Sequence, residues 1–216
     1  MYLVIKTLIS ALIIVFVSEI AKKYISLGFQ LSLQTGYGKD LGFNDADYKN
    51  FGVDLFDNEK EIINNADIII QLGLPDEEKL SFFKQNHTLI GSLNAFSNKT
   101  KLENLKSKKI NCFSLDLPPR ITRAQSMDIL SSQANLAGYK AVVDSFAYYQ
   151  KAIPMMMTAA GTIPAAKILV VGAGVAGLQA IATAKRMGAI VFATDVRLAS
   201  KEQVESLGGK FLTVEE

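Results

Sequence analysis

The sequence predicts an α/β protein: two lobes with parallel sheets joined by a long helix, the second lobe incomplete. Three observations carry this. Short apolar runs recur with helix-compatible segments of about ten residues between them, the spacing of βαβ units. One long helix-compatible stretch, 126–149, separates two such regions. The second region then shows strand, glycine-rich turn, helix and strand in direct succession.

Composition sets the frame. With 216 residues, 49% of them hydrophobic and 20% charged, the chain is too apolar for disorder and polar enough for a folded surface. Lys plus Arg (23) and Asp plus Glu (21) leave a net charge of +2, which gives no electrostatic footprint for nucleic acid. Cys112 is the one cysteine; it is expected to be a small buried hydrophobe in a reducing compartment. The one histidine, His87, leaves no set of ligands for zinc and is expected to be solvated or to act as a cap.

The elements follow in order. Residues 1–18 are apolar with Lys6 as their only charge, and the uncharged run 7–18 covers 12 residues, short of the ~20 that a spanning helix needs. The run reads either as the apolar region of an export signal, although no A-x-A-like site follows, or as a buried first strand with an extension. Residues 19–26 have helical spacing that Gly28 ends. Residues 29–34 (FQLSLQ) alternate as a half-buried strand does, and Gly36, Gly38 and Gly42 mark loops. Residues 58–65 suit a helix and 67–72 (DIIIQL) a strand buried on both faces. Weaker strands are expected at 88–93 and 110–115, with a charged helix at 99–106 between them. Pro118-Pro119 closes the region. The long helix, containing Leu130, Ala134, Ala137, Val142 and Phe146, comes next, and 154–164 (PMMMTAAGTIP) reads as a loop. The expected domains are therefore 1–125, a connecting helix at 126–150, and 151–216.

The chemistry is concentrated after that loop. Residues 167–171 (KILVV) run into Gly172-Ala173-Gly174-Val175-Ala176-Gly177; a helix is expected over 178–187, a strand over 189–193, and Asp195 stands 18 residues beyond Gly177. A lone GxGxxG is weak, but this order of parts is the dinucleotide-binding arrangement of a Rossmann-like lobe. Gly172 permits the tight turn. Gly174 lets backbone N–H groups approach a pyrophosphate at a helix N-terminus, and Gly177 allows close helix packing. Asp195 would accept from the adenosine ribose and repel a 2′-phosphate, favouring NAD. Arg197, two residues on, could instead hold such a phosphate. A further helix at 200–207 and a strand at 211–214 complete about three strands, the first half of a lobe that normally has six.

Three long segments also resemble one family: RITRAQSMDILSSQANLAGYKAVV (120–143), PMMMTAAGTIPAAKILVVGAGVAGLQAIATAKRMGA (154–189) and ATDVRLASKEQVESLGGKF (193–211). They are similar to the NAD(H)-binding domain of proton-translocating NAD(P) transhydrogenase α subunits. The resemblance covers most of 117–216 and, more loosely, 19–116. It implies NADH binding and hydride transfer to NADP on a partner domain, coupled to proton movement through membrane subunits. It also implies a homodimer on the cytoplasmic or matrix face, peripheral to the membrane through its partners. Carried over, Arg120, Gln125, Asp128 and Ser131 would hold the nicotinamide end. Gly172, Gly174, Val175, Ala176 and Gly177, with Asp195, Val196 and Arg197, would hold the adenosine and phosphate side. The bland alternative for Asp128 and Ser131 is that they cap or line the long helix.

Direct hydride transfer needs positioning rather than a general acid or base, so no catalytic residue is expected. The related alanine dehydrogenases would need a histidine near Leu93-Asn94-Ala95 and a lysine within 66–78; this chain has neither, so amino-acid dehydrogenation is not expected. The resemblance begins only at about residue 18 and the chain stops inside the nucleotide lobe. The expectation is a product with an altered start and an early stop. Its other readings are a non-catalytic truncated NAD-binding remnant and a membrane-anchored NAD sensor. An unpaired strand edge in the half-sheet is also expected.

Overall fold

The computed structural model describes residues 2–6, 18–119 and 121–213. The chain divides into two compact units, Met1–Asp128 and Ile129–Glu216.

The first unit is a doubly wound sheet. Its strands are β1 (Tyr2–Lys6), β2 (Gln30–Gln34), β3 (Asp54–Phe56), β4 (Ile68–Gln71), β5 (Thr88–Gly91) and β6 (Asn111–Ser114), ordered β3-β2-β1-β4-β5-β6. Every pairing is parallel. The order reverses between β1 and β4, which is the switch point of this class of sheet. Leu3 sits opposite both Leu31 and Ile68, so residues 2–6 form a middle strand of the sheet, as the buried-strand reading has it. The rest of the apolar run, 7–17, lies outside the described residues.

Five helices connect these strands: α1 (Ser18–Ser26), α2 (Asp45–Asn50), α3 (Glu59–Asn65), α4 (Glu77–Leu80) and α5 (Lys99–Ser107). Local capping sets their starts. Asn58 Oδ1 accepts the Lys60 N–H at 2.9 Å, and Asp76 Oδ1 accepts the Lys79 N–H at 2.9 Å, each satisfying an amide with no partner inside its helix. Successive residues of β4 divide between two cores. Ile69 packs with Ile62, Ile63, Leu80, Leu89 and Leu105, while Ile68 and Ile70 pack against Ala21, Leu31, Leu33 and Tyr48. That alternation is why DIIIQL carries no polar positions in its centre: both faces of a parallel strand are covered. Each fully buried leucine contributes about 1.5–3 kcal/mol of transfer free energy.

Two single-residue expectations fail here. Cys112 is exposed, because β6 is an edge strand and the neighbouring Ile110 takes the buried place. His87 is 6% exposed rather than solvated. Its Nδ1 accepts the Lys84 N–H at 3.2 Å, and its ring meets Phe83 edge-on with centroids 5.9 Å apart. It thus closes the turn before β5.

The second unit opens with α6 (Ile129–Tyr148), followed by β7 (Met156–Thr158), β8 (Gly161–Ile163), β9 (Lys167–Val171), α7 (Val175–Arg186), β10 (Ile190–Thr194), α8 (Ser200–Ser206) and β11 (Lys210–Phe211). The expected loop 154–164 is in fact an antiparallel hairpin, β7 on β8, with Met156 opposite Ile163. Thr158 Oγ1 closes its turn, accepting the Ala160 N–H and donating to the Gly161 carbonyl. Both faces of this ribbon are exposed, so its sequence shows no two-residue alternation to read.

β9, β10 and β11 form a parallel sheet in the order β11-β10-β9. One face is buried: Ile168, Val170, Val191 and Ala193 pack with Ile181 and Ala184 of α7. On β9 the opposite side chains are open, Leu169 at 59% and Val171 at 79% exposure. Among the described residues the outer edge of β9 pairs with no strand. α6 crosses α7 at Gly138, where an added Cβ would stand 2.1 Å from the Ala176 carbonyl oxygen; only glycine allows that approach. No helix among the described residues is long and apolar enough to cross a membrane.

Candidate functional site

The carboxyl ends of β9 and β10 place Gly172 and Asp195 side by side. Gly172 leaves β9 with φ +98°, a conformation costly for any residue bearing a Cβ, and its N–H donates to the Thr194 carbonyl at 2.8 Å. The chain then turns through Ala173 to Gly174, the N-cap of α7. A Cβ on Gly174 would meet nothing within 4 Å, whereas one on Gly177 would lie 1.8 Å from the Gly172 carbonyl oxygen. The first glycine therefore leaves space above the helix end, and the second lets α7 press against the turn. The first amides of α7 have no helical acceptor, and the positive end of the helix dipole favours an anion there.

Asp195 ties this turn to the next strand. Its Oδ2 accepts the Ala173 N–H at 2.7 Å and Arg197 Nη2 at 3.2 Å; its Oδ1 accepts the Arg197 N–H at 2.8 Å and Arg197 Nε at 3.0 Å. The Arg197 guanidinium, then the two backbone N–H groups, hold the carboxyl well below the usual carboxylate range. Asp195 is accordingly ionised throughout the neutral range. A cleft of about 710 Å³ opens beside it, lined by Gly172, Asp195, Val196, Leu198, Phe211 and Leu212 among others. Val196 is fully exposed. An anion cradle at a helix end, a carboxylate beside it and an apolar-walled cleft match the parts of an adenine dinucleotide.

The other predicted residues are distributed differently. Gln125 is exposed on a 3₁₀ turn, Thr122–Met127, and its carbonyl accepts the Asp128 N–H at 3.2 Å. Asp128 directly precedes α6 and Ser131 is in that helix's first turn; both are half-buried. Gln125 and Asp128 belong to the first unit, Ser131 and the glycine turn to the second. Arg120 lies outside the described residues. Val175 and Ala176 start α7, with the Ala176 carbonyl turned toward Gly138. Residue types give no sign of Ala173, because it acts through its main-chain N–H, which no side-chain pattern announces.

Comparison with known proteins agrees with this arrangement. Residues 15–137 match the family described as Alanine dehydrogenase/PNT, N-terminal domain, and residues 141–216 match Alanine dehydrogenase/PNT, C-terminal domain. The chain belongs to the alanine dehydrogenase/PNT family. Within this family it is 48% identical over 203 residues to the first of the separate chains that make up the NAD(P) transhydrogenase alpha subunit of Rhodospirillum rubrum, covering 92% of this chain and 53% of that protein. The crystal structure of transhydrogenase from Sinorhizobium meliloti superposes with a TM-score of 0.89 at 43% identity, covering 99% of this chain and 64% of that one. An L-alanine dehydrogenase shares the fold, with a TM-score of 0.76 at 19% identity over 93% of this chain and 56% of its own. The chain thus spans about half the length of the curated transhydrogenase relative.

The two positions that set the chain apart from alanine dehydrogenases in sequence are engaged in local structure. Asn94 takes a left-handed φ of +46°, its N–H donates to Asp116 Oδ1 at 3.3 Å, and its carbonyl accepts from Asn98 Nδ2 at 3.1 Å. Lys79, just beyond the lysine-free stretch, stands between carboxylates of Glu59 (3.7 Å) and Asp76 (3.5 Å).

Proposed function

We propose that this chain is the NAD(H)-binding component of an NAD(P) transhydrogenase. The observation that carries the reading is the Asp195 tether between glycine turn and strand end, set beside an open helix N-terminus. In this reading the α7 amides hold the pyrophosphate and Asp195 takes the adenosine ribose. Arg120, Gln125, Asp128 and Ser131 orient the nicotinamide. The bound dinucleotide supplies the hydride; the protein supplies position and a dry setting. NADP belongs to a partner domain, and proton movement to membrane subunits with which a homodimer of this chain associates peripherally. The 48% identity to a transhydrogenase α subunit supports this assignment over amino-acid dehydrogenation.

Quenching of NADH fluorescence tests the binding step. Wild type is expected to bind, and Asp195→Ala to weaken binding at least tenfold; unchanged affinity in that variant would remove the adenosine site from this location. Reconstitution with an NADP-loaded partner domain then separates a working component from a chain that binds without turnover.

A further inference from the structure

An ionised carboxylate offers about four acceptor positions, and all four at Asp195 are engaged. Two are taken by backbone amides fixed by the fold, Ala173 on Oδ2 and Arg197 on Oδ1. The other two are taken by the Arg197 guanidinium, through Nη2 and Nε. The two classes differ in freedom. The Asp195 side chain is 6% exposed and that of Arg197 62% exposed, so the guanidinium can leave into solvent while the amides cannot.

We propose that Arg197 is a gate on the ribose-binding carboxylate, setting the balance between NADH and NADPH. The inference rests on the dinucleotide reading of this site. A ribose hydroxyl can donate to Asp195 only where the guanidinium has withdrawn, so the Arg197 side chain competes with NADH for the carboxylate. Withdrawal does not loosen Asp195, because one amide still holds each oxygen. A 2′-phosphate reverses the sign. It cannot donate to Asp195 and is repelled by it, but at that position it lies within about 6 Å of the guanidinium, inside the ~8 Å screening length at physiological salt. Arg197 therefore opposes the 2′-hydroxyl cofactor and favours the 2′-phosphorylated one, partly offsetting the discrimination made by Asp195. This makes it a specificity-determining residue acting through its neighbour.

The test measures dissociation constants for NADH and NADPH, on the full chain at physiological salt, for wild type, Arg197→Ala, Arg197→Lys and Asp195→Ala. Arg197→Ala should tighten NADH about two- to fivefold, the scale of releasing one exposed ion pair, and weaken NADPH by a similar factor. Arg197→Lys keeps the cation but not the two-pronged grip; it should retain NADPH binding while still tightening NADH. Changes of the same sign for both cofactors, or no change in Arg197→Ala, would overturn the gate while leaving the binding site intact. Failure of wild type to bind NADH, with Asp195→Ala indistinguishable from it, would instead overturn the site and the gate together.

Discussion

Asp195 shows how one side chain can serve as a tether and as a candidate recognition group. Its carboxylate holds the glycine turn through Ala173, so its replacement loosens the turn as well as removing an acceptor. Gly177 is constrained more severely, since a methyl there would overlap the Gly172 carbonyl. Gly177→Ala is expected to push α7 away from the turn, abolish NADH quenching and lower the melting temperature by several degrees. Wild-type binding in that variant would show that the turn does not shape the site. His87 carries a different consequence. Burial, then the nearby Lys84 charge, lowers its pKa from the ordinary 6.5. Above that value both folded and unfolded chains are neutral at this position, and its contribution to stability is complete. Below it the unfolded chain takes up a proton that the folded chain resists, so stability falls until the pH reaches the lowered folded value. The urea midpoint of wild type should therefore drop between about pH 7.5 and about pH 5.5 by more than that of His87→Gln. Equal drops would show that other groups carry the acid sensitivity.

At the scale of elements, the sequence was most readable where a period or a continuous apolar run was long. The expected helix at 126–149 appears as Ile129–Tyr148, its first residues taken by a 3₁₀ turn instead. The strands at 67–72 and 167–171 appear as Ile68–Gln71 and Lys167–Val171. Short elements escaped: β3 has three residues, α2 six and α4 four, too few to show a repeat. The hairpin β7–β8 escaped because neither face is buried. The crossing of α6 on α7 could not be foreseen either, since Gly138 is one glycine in a helical pattern and nothing local says what it faces. Gly138→Ala should drive the Ala176 carbonyl away at a cost of about 1–3 kcal/mol, read as a shift in the denaturant midpoint. A neutral result would mean that the crossing relaxes freely.

Over the whole molecule, the two units differ in how completely their sheets are covered. The first has packed clusters drawn from both faces of β4, whereas the second leaves Leu169, Val171 and Ile190 exposed on one face, beside the edge of β9 that pairs with no strand among the described residues. Open apolar sheet faces and bare edges promote association. Leu169→Lys with Ile190→Lys is expected to reduce self-association of the isolated chain in light scattering, with melting temperature little changed. Unaltered scattering would place the associating surface elsewhere.

The sequence by itself determined the α/β class, the glycine turn with its acidic residue and the family, because these depend on local periodicity and on residue types at fixed spacing. It could not decide residues 2–6 between an export signal and a strand. That decision came from pairing with β2 and β4, a contact across some thirty to seventy residues of chain. Tertiary structure likewise decided that Cys112 is exposed, that His87 is buried and that Arg197 already grips the carboxylate of Asp195. Burial and hydrogen bonding depend on what arrives from distant sequence, and no local pattern records it.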